Sequence, residues 1–268
     1  MVWSCLVSIL PGMAQTEKLT DYVNPFVGTD GYGNVYPGAQ IPFGGIQISP
    51  DTDSRFYDAA SGYKYNHLTL MGFSLTHLSG TGIPDLGDFL FIPGTGEMKL
   101  EPGTHEDPDQ GYRSRYSHDK EWASPNYYAV ELADYGVKAE MTSGVRSGMF
   151  RFTYPESDNA FIMIDMNHTL WQSCEWSNLR MINDSTITGY KLVKGWGPER
   201  HVYFTATFSK KLTGLRFVQD KKPVIYNTSR FRSSYEAWGK NLMACISFDT
   251  KAGEEVTVKT AISAVSTD

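Results

Sequence analysis

Cysteine is scarce in this sequence, with only Cys5, Cys174 and Cys245 among 268 residues. The three lie far apart, form no Cys-x-x-Cys pair and have no histidine nearby at zinc-ligand spacing, which excludes a cysteine zinc site. Cys174 and Cys245 leave two alternatives open. They form a disulfide in an oxidising compartment, or they stay as buried thiols, since free cysteine is among the most buried residue types.

The sequence also lacks a long run of charge of one sign and a long apolar run. Its 24 basic and 30 acidic residues give a net charge of −6, so nucleic acid and anionic membrane surfaces are not expected as partners. No stretch approaches the roughly 20 apolar residues that a membrane-spanning helix requires. The composition, 41% hydrophobic and 20% charged, excludes disorder, collagen and coiled coil.

The first residues have the pattern of an incomplete export signal. An apolar run over residues 2–10 precedes Pro11-Gly-Met-Ala14, which places small residues three before and one before a cleavage point after Ala14. A basic start is missing, so a buried first strand is the alternative, and a lipoprotein anchored through Cys5 is a weaker one. We predict a partial signal peptide at residues 1–15. The protein is expected to be exported to the periplasm or to the extracellular space, and attachment to the cell surface is left open.

From residue 112 onward, short apolar or alternating segments recur about every ten residues, with polar turns between them. That spacing is typical of an antiparallel sandwich or barrel. Because no repeat or linker divides the chain, we predict an all-β fold, one large antiparallel β-sandwich over residues 16–268, with about a dozen strands and at most two short helices. The predicted strands are a short one ending at Pro50, then 88–93, 127–132, 137–142, 149–154, 160–165, 185–190, 201–208, 215–218, 242–248 and 255–263.

Residues 61–88 hold the highest density of side chains with functional chemistry. Small hydroxyl residues, His77, Asp85, Asp88 and several glycines occur together there, which suits a site that reads hydroxyl groups through side chains and backbone. Structural alternatives remain open: His77 as a core histidine bonded to a backbone carbonyl, and the aspartates as caps of their own turns. Ser79-Gly-Thr-Gly82 lacks the Gly-Lys ending of a phosphate loop, which excludes nucleotide binding.

Two other kinds of catalytic site are disfavoured. A serine hydrolase triad is not expected, since no Gly-x-Ser-x-Gly sequence is present. A metal held by histidine and carboxylate is conceivable at Asp165-Met-Asn-His168, but residues of this kind at the end of a strand more often stabilise a turn. The turn is therefore the favoured interpretation of this segment.

Aromatic residues are the second functional signal. They exceed what a sandwich core needs, and Gly195-Trp-Gly197 sets an indole in a glycine-flanked loop. Sugar rings stack on such side chains, and Arg55 and Arg200 can add hydrogen bonds to hydroxyl groups, with a weak surface ion pair as the alternative for each. These features favour a neutral, polyhydroxylated ligand. The aromatic residues concerned are Trp171, Trp176, Trp196, Trp238, Tyr63, Tyr65, Tyr127 and Tyr128.

A series of motifs runs in order along the chain from about residue 20 to the last residue. The motifs are Tyr22-Val-Asn-Pro-Phe-Val-Gly-Thr29, Tyr36-Pro-Gly-Ala39, Pro42-Phe-Gly44, Ser49-Pro-Asp-Thr52, Ser61-Gly-Tyr63, Gly72-Phe-Ser74, Thr76-His-Leu-Ser-Gly-Thr-Gly82, Gly87-Asp88, Gly195-Trp196, Tyr203-Phe204, Phe208-Ser-Lys210 and Ile262-Ser-Ala-Val-Ser266. Taken together, they resemble the amino-terminal domain of glycoside hydrolase family 92, the calcium-dependent exo-α-mannosidases.

The resemblance implies an N-terminal β-sandwich that packs on a downstream (α/α)6 domain, with the active site between them. It also implies an inverting mechanism, in which a carboxylic acid protonates the leaving oxygen and a carboxylate activates water about 6.5–9.5 Å away. In the family these two groups and most calcium ligands lie in the C-terminal domain. Calcium as cofactor and α-mannosyl glycans as substrates, such as N-glycans or yeast mannan, are therefore implied for the full-length protein, with no catalytic or metal-binding residue in this chain.

The resemblance carries over to this chain as substrate recognition. In relatives the loop after Ser49-Pro-Asp-Thr52 continues with Arg and then Gly-Trp-Asp, whereas here the arginine stands at position 55 and Phe56 or Tyr57 replaces the tryptophan. We expect the chain alone to be catalytically inactive. A free-standing carbohydrate-binding sandwich, or a domain that only supports a partner, are the alternatives. The predicted substrate-binding residues are Arg55, Phe56, Tyr57, Asp58, Tyr63, His77, Asp85, Asp88 and Trp196.

Overall fold

The computed structural model describes residues 17–54, 59–224 and 236–267. Over these ranges the chain forms eighteen strands, with 3₁₀ turns at Leu19–Tyr22, Pro108–Gln110 and His118–Lys120. The predicted all-β class is thus confirmed. The predicted signal peptide at residues 1–15 lies outside the described residues.

The strands follow the sequence pattern most closely where apolar and polar residues alternate. β7 has the bounds predicted for it, and the neighbouring strands are longer than predicted by a few residues. The strands are β1 (Ser49–Asp51), β2 (Thr69–Leu70), β3 (Gly72–Ser74), β4 (Leu90–Thr95), β5 (Ser114–Arg115), β6 (Glu121–Ser124), β7 (Tyr127–Leu132), β8 (Val137–Ser143), β9 (Ser147–Tyr154), β10 (Ser157–Asp165), β11 (Ser173–Asn183), β12 (Thr186–Lys194), β13 (Arg200–Phe208), β14 (Gly214–Gln219), β15 (Lys222–Pro223), β16 (Glu236–Gly239), β17 (Leu242–Thr250) and β18 (Glu254–Ser263).

Two antiparallel sheets form the sandwich. The smaller has seven strands in the order β1-β3-β4-β10-β17-β14-β15, and the larger has nine in the order β16-β11-β12-β13-β18-β9-β8-β7-β6. The described residues also include a two-stranded pair, β2 with β5. The predicted single large sandwich is therefore the fold that the described residues adopt.

The main core lies between the two sheets. Phe150 and Phe152 of β9 point inward at alternate positions. Their chain neighbours Met149 and Arg151 face out, as the two-residue period of a strand requires. The ring of Phe150 lies 4.9 Å from that of Phe91 on the opposite sheet. Aromatic packing of this kind joins the two sheets across the sandwich.

A second apolar cluster covers the outer face of the seven-stranded sheet. β10 is buried over most of its length because Ile162 and Ile164 face the main core, while Phe161 and Met163 face this second cluster. A strand buried on both faces reads as a continuous apolar run. This explains why residues 160–165 carry no alternation in the sequence.

The two cysteines of the described residues are separate. Cys174 lies on β11 of the larger sheet and Cys245 on β17 of the smaller one, and both are buried free thiols. Burial raises the pKa of each thiol above its ordinary value. The structure therefore decides the open alternative in favour of buried thiols.

No helical segment in the described ranges has the length and apolar character needed to cross a bilayer.

Candidate functional site

One end of the sandwich gathers the loops that the sequence singled out. We call this end of the nine-stranded sheet the loop end. β11 and β13 begin there and β12 ends there, since Ser173 lies opposite Lys194 and Val193 lies opposite Arg200. The loop after β3 and the loop after β10 meet there. Leu170 donates its backbone N–H to the Leu86 carbonyl at 2.9 Å, so the two loops are fixed against each other.

A buried aspartate lies between two histidines beneath these loops. Asp51, at the end of β1, has one carboxylate oxygen 2.8 Å from Nε2 of His77 and the other 2.7 Å from Nε2 of His168. The other ring nitrogen of His77 lies 2.8 Å from the Gln47 carbonyl oxygen. Burial raises the pKa of the Asp51 carboxyl, but the charge of His77 and the hydrogen bonds from both histidines outweigh burial and hold that pKa well below its ordinary range.

His77 is thus a core histidine bonded to a backbone carbonyl, the structural alternative that the sequence left open. Its side chain is buried and in contact with acceptors on both ring nitrogens. The described structure therefore places His77 beneath the loops, where it fixes the shape of the site. A direct contact with a ligand is not needed to explain its position.

A second buried aspartate, Asp88, is held by two cations. Its carboxylate lies 3.1 Å from Nζ of Lys191 and 2.5 Å from a guanidinium nitrogen of Arg200, and it accepts a hydrogen bond from the Thr76 hydroxyl at 2.7 Å. Burial raises the pKa of this carboxyl, yet the charges of Lys191 and Arg200 hold it well below its ordinary range. Lys191 also donates to the His168 carbonyl at 2.6 Å, which joins this cluster to Asp51.

Asp85 connects the β3–β4 loop to the loop that carries Trp196. One oxygen of its carboxylate accepts from the Leu86 N–H at 2.7 Å, and the other accepts from the Trp196 N–H at 3.3 Å. Asp85 therefore caps its own turn, as the structural alternative holds, and also positions the neighbouring loop. The indole of Trp196 itself is 66% exposed.

The side chain of Tyr63 lies in the main core. Its hydroxyl donates to the Glu121 carboxylate at 2.9 Å, and Glu121 also accepts from the hydroxyl of Tyr128 and binds Nδ1 of His118. This geometry favours a structural role for Tyr63. Arg55, Phe56, Tyr57 and Asp58, the remaining predicted substrate-binding residues, lie outside the described residues.

A cleft of about 960 Å³ opens beside this polar network. Its wall includes His168, Gln172 and the indole of Trp171, which is 63% exposed and sits on backbone with a φ of +71°. The carboxyl of Asp165 also lines it, and partial burial raises the pKa of that group above its ordinary value, although His168 offsets part of the effect. The cleft thus combines exposed aromatic surface with hydrogen-bonding groups.

Gln172 contributes an acceptor that the described protein does not use. Its amide nitrogen donates to the Pro84 carbonyl at 2.5 Å, whereas its oxygen Oε1 is buried and has no hydrogen-bond partner within the described ranges. A buried acceptor without a partner is uncommon in native proteins.

The carboxylates of the loop end do not form a calcium site. Calcium takes six to eight oxygen ligands, but the oxygens of Asp51 and Asp88 are occupied by histidine, lysine and arginine. Across residues 17–54, 59–224 and 236–267, His, Cys, Asp and Glu side chains form no group of three or more placed to hold a metal ion.

Several residues of the network were not assigned a role from the sequence. Asp51 appears in the sequence only within the Ser49-Pro-Asp-Thr52 motif, and Lys191 directly follows the predicted strand 185–190, so neither is singled out. His168 was considered for a metal together with Asp165, and the structure instead bonds it to Asp51. Arg200, considered for hydroxyl binding, forms its ion pair with a buried carboxylate.

The fold and the cleft together define a β-sandwich whose loop end carries exposed aromatic rings and hydrogen-bonding side chains. A family model described as "Glycosyl hydrolase family 92 N-terminal domain" matches residues 22–263. The chain therefore belongs to glycosyl hydrolase family 92 and represents its N-terminal domain.

Individual relatives agree with this assignment. An "Uncharacterized secreted glycosidase" from Arthroderma benhamiae is 30% identical over 139 residues, which is 51% of this chain and 17% of that protein. A solved family 92 glycosyl hydrolase is 25% identical with a TM-score of 0.74, covering 91% of this chain and 32% of that one. A family 92 inverting mannosidase from Bacteroides thetaiotaomicron shares the fold, at 24% identity and a TM-score of 0.74, over 94% of this chain and 32% of its own. The chain thus spans about a third of the solved proteins it matches.

Proposed function

We propose that this chain is the N-terminal sugar-recognition domain of an exported, calcium-dependent exo-α-mannosidase that releases mannose with inversion. The observation that carries the proposal is the exposed indole of Trp171 in a cleft that hydrogen-bonding side chains also line, among them Asp165 and Asn167. An aromatic face and free hydrogen-bonding groups are what a neutral sugar ring requires. One of the solved family 92 relatives is named as a mannosidase, which supports mannose as the sugar.

The buried charges support a recognition role for this domain, with the catalytic pair supplied elsewhere. Inverting hydrolysis needs one carboxyl as acid and one carboxylate as base, separated by about 6.5–9.5 Å. Asp51 and Asp88 are unsuited to either task, since each is fully buried and already bound to cationic or hydrogen-bonding partners. In the proposal, the acid, the base and the calcium ligands lie in the (α/α)6 domain of the full-length enzyme.

The loop end has an apolar rim where that domain would pack. Phe43 and Val145 stand on neighbouring turns, which are joined where Gly45 donates its N–H to the Val145 carbonyl at 2.6 Å, and both side chains are exposed. Trp171, Trp196 and Val265 continue the exposed surface along the same end of the sheet. Exposed apolar patches of this kind mark interaction sites, and the proposed partner is the downstream helical domain.

Export is proposed from two observations. The residues before the described part of the chain have the apolar run and small-residue spacing of a secretion signal, and the Arthroderma benhamiae relative is named as a secreted protein. Whether the exported protein stays in the periplasm or reaches the extracellular space depends on the cell envelope of the organism that makes it.

Hydrolysis assays test the proposal directly. The purified 268-residue chain is expected to show no release of mannose from α-mannobiose, whereas the protein extended with its downstream domain releases mannose whose first-formed anomer, followed by proton NMR, is β. Turnover by the 268-residue chain, freed of host glycosidases, would contradict the assignment of the catalytic pair. Retention of configuration by the extended protein would contradict the inverting mechanism.

A free-standing carbohydrate-binding module is a second candidate, favoured by the exposed indoles of Trp171 and Trp196. It predicts that the chain alone binds mannose more tightly than the roughly millimolar affinity of a half-site. Titration calorimetry with mannose, repeated with Trp171→Ala, separates the two functions. Affinity in the micromolar range that is lost in the variant would favour the module.

A further inference from the structure

The outer face of the nine-stranded sheet carries aromatic side chains that neither core uses. Side chains that lie opposite one another in an antiparallel pair share a face of the sheet. The register places Trp238, Asn178, Tyr190 and Tyr203 in one row across four strands. The adjacent row holds Trp176, Leu192 and His201. We call these two rows the aromatic platform.

The platform consists of a tyrosine–histidine cluster and two exposed indoles. The rings of Tyr190 and Tyr203 lie 4.9 Å apart, and the Tyr190 hydroxyl is 3.0 Å from Nδ1 of His201. Trp238 is 52% exposed and Trp176 46% exposed. Because Trp238 lies opposite Asn178, two residues along the strand from Trp176, the two indoles are diagonal neighbours at roughly 7–8 Å.

We propose that the aromatic platform binds a chain of neutral sugars, separately from the cleft. Sugar rings present apolar C–H faces to aromatic rings and hydroxyl groups to the side chains between them. His201 and the hydroxyls of Tyr190 and Tyr203 provide such hydrogen-bonding groups within the two rows. Asn178 is buried, and its amide donates to Glu236 and to the Ala237 carbonyl. The platform therefore offers both halves of the chemistry that a polyhydroxylated ligand uses.

Charge and composition select this ligand over other occupants. Just beyond the first row, Arg180 lies opposite Glu236, so the neighbouring charges are of opposite sign and a polyanion gains little. Leu192 is the aliphatic residue of the two rows and is itself half-buried, whereas obligate protein interfaces are rich in aliphatic side chains. An uncharged, amphipathic chain fits these properties.

The platform adjoins the cleft of the loop end. Cys174 and Ser173, at the start of β11, line the cleft, and Trp176 follows on the same strand. Lys240, after β16, also lines it and pairs with Glu175 at 3.2 Å. A glycan whose end lies in the cleft can therefore extend over the sheet. The inference rests on the proposed function only for the class of sugar, not for the existence of the platform.

Affinity electrophoresis of the 268-residue chain tests the platform. Native gels containing soluble yeast α-mannan, galactomannan or dextran report binding as retarded migration. The test variants are Trp176→Ala and Trp238→Ala. The matched control is Trp122→Ala, because Trp122 is 44% exposed on β6 at the opposite edge of the same sheet. Circular dichroism melting shows that each variant is folded.

The expected result is retardation by α-mannan, with the apparent dissociation constant raised about fivefold by either platform variant and unchanged by the control. Equal effects of all three variants, unaltered binding in the platform double variant, or no retardation by any polysaccharide would overturn the inference. Retardation by dextran or galactomannan alone, lost in the platform variants, would support the platform and count against mannose as the proposed substrate. Loss of cleft binding in Trp171→Ala, with retardation retained, would confirm that the two surfaces are separate.

Discussion

Two buried aspartates set the electrostatics of the loop end. Asp51 is bonded to His77 and His168, and Asp88 to Lys191 and Arg200, while Lys191 joins the two clusters through the His168 carbonyl. A buried carboxylate costs free energy unless partners compensate it. These residues come from segments far apart in the chain, so their bonds fix the loops relative to one another.

Asp51→Asn is expected to reduce the free energy of unfolding by about 3–5 kcal/mol at pH 7, because it leaves two buried histidines without their anion. The folded-state pKa of Asp51 is depressed, so its contribution is present above the unfolded pKa of about 3.9 and is lost as pH falls through the folded value. Urea unfolding at several pH values measures both effects. The acid-side loss of stability should be shallower in the variant than in the wild type.

Asp85→Asn is the matched control, since Asp85 accepts only backbone N–H groups in the described structure. Its cost should be about 1 kcal/mol, the value of an ordinary hydrogen bond. Equal losses in the two variants would contradict the special role given to Asp51.

Lys191→Met should destabilise the domain by about 3 kcal/mol, since a buried carboxylate loses one of its two cations. Arg200→Met should cost less, because Arg200 is partly exposed and water can take its place beside Asp88. Guanidinium unfolding of both variants gives the comparison. A larger loss for Arg200→Met would mean that Lys191 is not the main partner of Asp88.

At the scale of elements, the turn at Gly62 controls where Asp51 lies. Gly62 has a φ of +82°, and a β-carbon on it would lie 2.0 Å from the Asp51 carboxylate. Gly62→Ala should therefore cost about 3 kcal/mol or more, from backbone strain plus displacement of the aspartate. Gly80→Ala, with a φ of +74° and open space around it, should cost about 1 kcal/mol. Thermal melting of the two variants measures the difference. Similar losses of stability in both would contradict the role given to Gly62.

The strands show which elements the sequence can predict. β7, β8 and β9 were predicted because apolar and polar residues alternate in them with a period of two. β11 was missed, since its inward positions include Cys174 and Ser177 and its outward positions include Trp176, which reverses the expected polarity. β16 was missed because four residues are too few for a periodic pattern.

The candidate site was predictable in its residue types but not in its contacts. His77, Asp85 and Asp88 stand out because they cluster in sequence. The residues that bond to this network do not cluster in the sequence. Arg200 lies 112 residues from its partner Asp88, and His168 lies 117 residues from its partner Asp51. Only the fold brings such residues together, so the sequence could not distinguish a ligand-binding aspartate from a neutralised one.

The separation of the cysteines predicts slow thiol chemistry. Cys174 and Cys245 are buried in different sheets, and burial raises their pKa values, so little reactive thiolate is present at neutral pH. In a Cys5→Ser variant, which leaves only these two thiols, Ellman's reagent should label neither in the folded domain and both after denaturation. Rapid labelling of the folded variant, or no labelling after unfolding without reductant, would contradict the free, buried state.

For the whole molecule, the apolar rim of the loop end should contribute to association and not to folding. Phe43→Ser with Val145→Ser removes two exposed side chains, so the free energy of unfolding should change by less than about 0.5 kcal/mol. Fluorescence of a hydrophobic dye on the native domain should fall. In the extended protein, the same changes should weaken packing of the downstream domain, seen as earlier cleavage between the domains in limited proteolysis. Lowered stability of the 268-residue chain would place these residues in the fold instead.

The strand order of the seven-stranded sheet determines when, during synthesis of the chain, its strands can pair. β4, completed at Thr95, pairs with β10, and the other edge of β10 is covered only by β17, which ends at Thr250. Contacts this distant in sequence form slowly and late. A ribosome must therefore release nearly the whole chain before β10 has both neighbours, and until then its apolar run is open to aggregation. We therefore expect refolding of this domain from denaturant to be slow, with a yield that falls through aggregation as the protein concentration rises.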